Sequence, residues 1–326
     1  MDIKLLPVGV IGTGSYLPDM VITNKDLEKM VDTNDEWITS RTGIKERRKA
    51  DCEKSTSYMA SMAAKKALEN ANVKAEEIDM IIVATITPDM FFPSTACLVQ
   101  EQIGAVNAAA VDLGAACTGF IYSLAFASNL ISTGMYKKIL VIGSETLTRI
   151  LDPKDRNTLV LFGDGAGACV LSQVEEGSGF LSFDLGSDGK GANLLYSSAT
   201  INSESVAKGD HYLKMAGNEV FKFAIRILNE TAQKALEKAG LTKEELDFLV
   251  PHQANKRIIQ SAMKRLDISE DKVYVNLDKY GNMSGASIPV ALDEAVRNGK
   301  VKKGDNIILV GFGAGLTWGS CVIRWV

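Results

Sequence analysis

One half of this chain repeats the other. Lys66-Ala67-Leu68-Glu69 returns as Lys234-Ala235-Leu236-Glu237, and Glu76-Glu77-Ile78-Asp79 returns as Glu244-Glu245-Leu246-Asp247. A buried strand ending at Gly143 matches one ending at Gly311, and all three pairs are 168 positions apart. A repeat of that length is far too long for a solenoid unit. It implies two similar α/β halves, 1–174 and 175–326, related by a pseudo-twofold axis, each a mixed, mostly parallel sheet with helices on its faces. With 46% hydrophobic residues in 326, the chain has ample material for such a core.

Hydrophobic patterning gives the elements of each half. In the first, strands are expected at 5–11, 78–85, 108–111 and 139–143, with helices at 25–31, around Trp37 and Arg41, and at 55–70, 94–103 and 120–131. An apolar, glycine-rich stretch follows at 158–171. In the second, helices are expected at 217–239, 254–266 and 287–298, and strands at 246–251, 273–277 and 307–310. Val8 to Gly14 reads as a strand followed by a glycine turn. A dinucleotide fingerprint would need a third glycine where Leu17 stands, and Pro18 discourages a helix on the phosphates, so a nicotinamide enzyme is set aside.

In alternating α/β units, ligands collect beyond the carboxyl ends of the strands. Cys117 lies there, in Val111 to Phe120, between a buried strand and a buried helix. A thiol at a helix start faces free N–H groups and the positive end of the helix dipole, which favours thiolate, the attacking form. The alternative is a small core cysteine. His252, one of two histidines, follows the 246–251 strand. Asn282 sits in Tyr280-Gly281-Asn282-Met283-Ser284, which the repeat brings near the counterpart of Cys117. The other histidine, His211, falls in a polar loop and reads as solvated. A Cys/His/Asn set serves nucleophilic acyl chemistry, in a protease or in an acyl transferase.

Bulk properties narrow the partners. A net charge of −4 argues against a general nucleic-acid binder. Five scattered cysteines without CxxC spacing argue against zinc and a disulfide framework and suit a reducing compartment. There is no secretory start and no apolar run of about 18 residues, so a cytoplasmic protein without a membrane span is expected.

Several motifs in order resemble one family over essentially the whole chain. They are Gly12-Thr13-Gly14-Ser15-Tyr16-Leu17-Pro18, Asp35-Glu36-Trp37-Ile38 with Arg41-Thr42-Gly43-Ile44, Ala116-Cys117-Thr118-Gly119-Phe120 and Phe162-Gly163-Asp164-Gly165-Ala166-Gly167. The later ones are His252-Gln253-Ala254-Asn255, Gly281-Asn282 with Ser284, and Gly313-Ala314-Gly315 with Thr317-Trp318-Gly319. The chain resembles the β-ketoacyl-[acyl-carrier-protein] synthase III family, condensing enzymes that start bacterial type II fatty acid synthesis. The resemblance implies a thiolase-like fold in αβαβα layers. Thr118, and Ala314 in a loop often written with three glycines, depart from the pattern; Ala314 fits if its φ is negative.

The resemblance also implies roles. Cys117 would carry the acyl group from a short acyl-CoA, acetyl-CoA first, with the backbone N–H groups of Cys117 and Ala314 as oxyanion hole. His252 and Asn282 would stabilise the enolate formed when malonyl-acyl carrier protein loses CO2. Trp37 and Arg156 would flank the adenine of coenzyme A. Arg41 and Arg257 would meet its phosphates, and Gly217, Phe221 and Asn255 would line its pantetheine channel. Lys222, Lys256, Arg257, Lys264 and Arg265 would dock the acidic carrier protein. Phe92 would reach across a homodimer to the other subunit's acyl pocket. The thioester is a substrate, and no cofactor or metal is implied. Alternatives are a starter-unit condensing enzyme of polyketide or quinolone type and, in another class, a non-catalytic acyl- or carrier-protein-binding module.

Overall fold

The computed structural model describes residues 5–198 and 203–326. Its first sheet holds β1 (Val8–Tyr16), β2 (Met80–Ala84), β3 (Ala109–Leu113), β4 (Lys138–Thr146) and β5 (Asp164–Gln173), in the order β1-β5-β4-β2-β3. The second holds β6 (Gly179–Ser187), β7 (Phe248–Pro251), β8 (Asn306–Gly313) and β9 (Thr317–Arg324), in the order β7-β8-β9-β6. One strand in each sheet, β5 or β9, runs against all the others. The sheets are therefore mixed yet mostly parallel in direction, as the repeat requires.

The inner strands are apolar on both faces because both faces are covered. In β4, Ile139 and Val141 point into a central core while Leu140 and Ile142 point into an outer one. In β8, Ile307 and Leu309 point centrally while Ile308 and Val310 point outward to a third cluster. The central layer between the sheets is α3 (Gly119–Ser132) and α6 (Ser287–Arg297). Outside the first sheet lie α1 (Thr56–Ala71) and α2 (Thr95–Ile103); outside the second lie α4 (Gly217–Ala239) and α5 (Lys256–Leu266). This is the expected αβαβα layering.

Several local expectations are corrected. β1 does not turn at its glycines but runs through them to Tyr16, because they admit a helix at close range. A Cβ on Gly12 would lie 2.6 Å from Ala71 Cβ, and one on Gly14 would lie 2.4 Å from Ala67 N. β3 is an edge strand, paired only with β2 and half exposed rather than buried. Residues 273–277 do not form a strand, since Val273 makes a single isolated bridge to Leu249 before a short helix begins at Leu277. The helix expected at 25–31 is a single turn, Asn24–Leu27, capped by Thr23. Strands β6 and β9 were not anticipated.

Candidate active site

Both halves end their central strands against a tight turn. After β3, Ala116–Thr118 makes one 3-10 turn before α3; 168 positions on, Ser284–Ala286 makes another before α6. The first residue of each turn, Ala116 or Ser284, has φ +47°. The counterpart of Cys117 is therefore Gly285, three residues beyond Asn282. Glycine is needed where a strand end meets the other half's turn: a Cβ on Gly313 would lie 2.8 Å from Cys117 Cβ, and one on Gly143 would lie 2.2 Å from Gly285 O.

Cys117 is buried, 6% exposed, where two cavities meet. One, of about 540 Å³, is walled by Phe91, Leu147, Ile150, Phe162, Leu195 and Leu213, and Ala314 and Ser284 reach it beside the sulfur. The other is a narrow cleft of about 90 Å³ that holds His252, Asn282, Phe312, Gly217, Phe221 and Asn255. Six of the expected site residues thus converge on one path (Cys117, His252, Asn282, Gly217, Phe221 and Asn255), with Ala314 on the adjoining wall. Ala314 does not take a positive φ.

The expected ionisation of the thiol is corrected. Burial pushes Cys117 up to about 12; the nearby Ser284 hydroxyl pulls it down and the Glu145 charge pushes it further up. At neutral pH the resting group is a thiol, because desolvation outweighs the helix start. His252 is 1% exposed, and burial lowers it to about 3, so its imidazole is neutral. Its Nδ1 lies 2.6 Å from Ser287 Oγ, its backbone N–H donates to Val310 O, and its ring meets Phe312 edge to face. Gln253 braces this segment, donating from Nε2 to the carbonyls of Pro251 and Tyr274. Asn282 Oδ1 accepts the Ser284 N–H at 2.8 Å, which pins the amide and leaves its NH2 uncommitted among the described residues. Cys117 thus faces two neutral groups.

At the outer end, the guanidiniums of Arg41 and Arg156 both lie over the Trp37 ring, 4.9 and 4.6 Å from its centroid. Arg156 pairs with neither Asp152 nor Asp155 but donates to Asp32 O at 2.7 Å. Its seat on Trp37 leaves no room for a ring between them. Asn255 links this corner to the cleft: its Nδ2 donates to Arg41 O, and its Oδ1 caps α5 at Arg257 N. Arg257 in turn lies 5.7 Å over Phe221. Lys256, Arg257, Lys264 and Arg265 are exposed on α5 and form no ion pair among the described residues, whereas Lys222 pairs with Glu219 at 2.9 Å.

Phe92 is 85% exposed and Phe91 75%; it is Phe91 that borders the large cavity of its own chain. His211 is not a solvated loop residue. It lines the large cavity against Tyr212, with Nδ1 buried and unpartnered. Ser287 and Glu145 are absent from the sequence analysis, and Ser284 enters it only as part of a motif, with no place beside Cys117. The repeat could have pointed to Ser284, which stands 168 positions beyond Ala116 in the matching turn. No cluster of metal-binding side chains occurs among the described residues, and no helix there is long and apolar enough to cross a membrane.

Comparison with known proteins agrees on one family. Residues 111–189 match the family model described as 3-oxoacyl-[acyl-carrier-protein (ACP)] synthase III, and residues 236–325 match its C-terminal counterpart. The β-ketoacyl-[acyl-carrier-protein] synthase III of Caldanaerobacter subterraneus subsp. tengcongensis is 58% identical over 325 residues, covering 98% of each chain. The solved 3-oxoacyl-[acyl-carrier-protein] synthase III of Aquifex aeolicus is 50% identical with a TM-score of 0.93, over 98% of this chain and 100% of that one. The priming β-ketosynthase of the R1128 polyketide pathway is 36% identical with a TM-score of 0.94, over 99% of this chain and 97% of that one.

Proposed function

The chain belongs to the β-ketoacyl-[acyl-carrier-protein] synthase III family and catalyses the condensation that initiates fatty acid synthesis, and from that premise we propose how its residues divide the work. Cys117 is the nucleophile. It attacks the thioester carbonyl of an acyl-CoA delivered through the cleft past Asn255, Phe221 and Gly217, and the acyl group settles in the large cavity. The backbone N–H groups of Cys117 and Ala314 hold the oxyanion; losing one such donor costs about 3 kcal/mol of barrier. Coenzyme A leaves and malonyl-acyl carrier protein takes its place.

His252 and Asn282 then serve the second step. With the Ser287 hydroxyl donating to Nδ1, the ring proton sits on Nε2 and points with the Asn282 NH2 at the thioester oxygen. As CO2 departs, these two donors stabilise the enolate, whose carbon attacks the acyl-cysteine. Neutral donors suit this task because they do not readily protonate the carbanion.

The outer residues bind the partners. Arg156 lifts off Trp37 to admit adenine between them, while Arg41 and Arg257 meet phosphate. Lys256 and Arg257, at the helix N-terminus where cations are electrostatically disfavoured, act with Lys264, Arg265 and Lys222 to dock the acidic carrier protein. The open edge of β3 and the exposed Val111, Phe126 and Phe92 make a homodimer face, with Phe92 closing the acyl cavity of a second copy. We read the chain as two thiolase-like halves, 1–174 and 175–326, in a cytoplasmic enzyme, with acetyl-CoA as the preferred primer.

The observation that carries this reading is the seat of Cys117 where an apolar cavity meets a cleft holding two neutral donors. Intact-mass analysis after exposure to mixed acyl-CoAs tests it. An acetyl adduct on Cys117, absent in Cys117→Ala, is expected. A dominant long-chain adduct would overturn the primer and favour a polyketide-type starter role; an adduct surviving in Cys117→Ala would overturn the nucleophile.

A further inference from the structure

Glu145, at the end of β4, is a carboxylate with no exposed surface, and the mechanism above does not use it. Its Oε2 is saturated: Thr87 Oγ1 donates at 2.6 Å, Thr85 Oγ1 at 3.2 Å and the Ile86 N–H at 3.2 Å. Its Oε1 is buried with no partner. The Ser284 hydroxyl, on the turn that faces Cys117 across the two halves, is likewise buried with no partner of regular geometry. Ser284 is still within reach of both groups, since its hydroxyl pulls down the Glu145 carboxyl and the Cys117 thiol, and a Cβ on neighbouring Gly285 would lie 3.5 Å from Glu145 Oε1. Ser284 also lines the cavity beside Cys117. Buried polar atoms without partners are rare, and two on the buried side of one cysteine call for an explanation.

The acylation step leaves one proton unplaced. His252 is committed at Nδ1 to Ser287, and burial disfavours its cationic form. Loss of the thiol proton to bulk water would leave a thiolate and a carboxylate buried together, and the Glu145 charge already opposes ionisation of Cys117. A proton moved from one to the other keeps a single buried charge. We propose that Ser284 and Glu145 are the proton-accepting branch of acylation, an inference that rests on Cys117 being the nucleophile. Cys117 Sγ–H gives its proton to Ser284 Oγ as Ser284 gives its own to Glu145 Oε1. The Cys117 Sγ bond to the thioester carbon forms, and the bond from that carbon to the sulfur of coenzyme A breaks. The departing sulfur keeps that electron pair and takes the proton back through Ser284. Glu145 touches no substrate and acts through Ser284.

The surroundings suit an acceptor near neutrality. Burial raises Glu145 to about 7, against the pull of Thr87, Ile86, Ser284 and Thr85. The groups facing it are Thr85, Ile86 and Thr87 from the loop after β2, Ser284 from the opposite turn, and Cys117 as the titratable one.

The test is the rate of Cys117 acetylation by acetyl-CoA, followed by rapid quench and intact mass between pH 5.5 and 8.5. Wild type, Glu145→Gln, Ser284→Gly and Cys117→Ala are compared, glycine being suited to φ +47°. Wild type is expected to rise with pH and level off above about 7. Both relay variants are expected to be about 100-fold slower at the plateau pH. They should also keep rising with pH, because only hydroxide then removes the proton, with the KM for acetyl-CoA unmoved. Slow variants that keep the wild-type plateau, or variants within threefold of wild type, overturn the relay. Acetylation of Cys117→Ala overturns the nucleophile instead.

Discussion

Residues 116–118 and 284–286 are one turn made twice, with the same φ of +47° at Ala116 and Ser284 and a central helix after each. Each packs against the central strand of the opposite half. At matched positions those strands carry Glu145 and Gly313, so the first turn meets a glycine and the second a carboxylate. Gly313 gives Cys117 room beside a cavity; Gly285, in the place of Cys117, leaves room for Glu145. The duplicated backbone supplies two junctions, and side chains give one of them a thiol beside a cavity and the other a buried carboxylate.

The comparison breaks most readily at the thiol. Cys117→Ala is expected to drop acetylation below detection with unfolding unchanged, and adding Gly285→Cys to it should not restore labelling, since the second turn opens on Glu145 rather than the cleft. Labelling of that new thiol would show the junctions to be interchangeable. His252→Ala should slow decarboxylation of malonyl-acyl carrier protein about 10²- to 10³-fold, read as CO2 release. In wild type that step should lack a histidine limb from pH 5 to 8, because His252 stays neutral down to about 3; an acid limb near 6.5 would contradict the assignment.

The second junction should show itself in stability. Glu145 is pushed up from its ordinary 4.5 to about 7 on folding, so the native state binds the extra proton and stability falls as pH rises through that window. The full effect is on the order of 3 kcal/mol, and Glu145→Gln should flatten it in urea titrations. His252 has the opposite sign: its folded pKa is depressed, so stability is lost as pH falls below 6.5. Smaller effects lie outside both turns. Trp37→Ala should raise the KM for acetyl-CoA about tenfold, with kcat little changed. Reversing Lys264 and Arg265 to glutamate should weaken carrier-protein binding by a few-fold at low salt and by nothing measurable at high salt.

The sequence alone determined the duplication and the strands buried on both faces, and it singled out Cys117, His252 and Asn282 as candidates. Each leaves a local or periodic mark: Ile139-Leu140-Val141-Ile142 and Ile307-Ile308-Leu309-Val310 are continuous apolar runs, which only a covered sheet explains. The tertiary structure decided what depends on neighbours distant in the chain. Gly12 and Gly14 proved to be seats for a helix instead of a turn, and β3 an edge instead of an inner strand. His211 came to the wall of the large cavity beside Cys117, and Glu145 and Ser284 came together across 139 positions of chain. The ionisation of Cys117 was decided there too. A helix start marks itself in the sequence, but desolvation is set by everything packed around the sulfur, and at this site it is the larger effect.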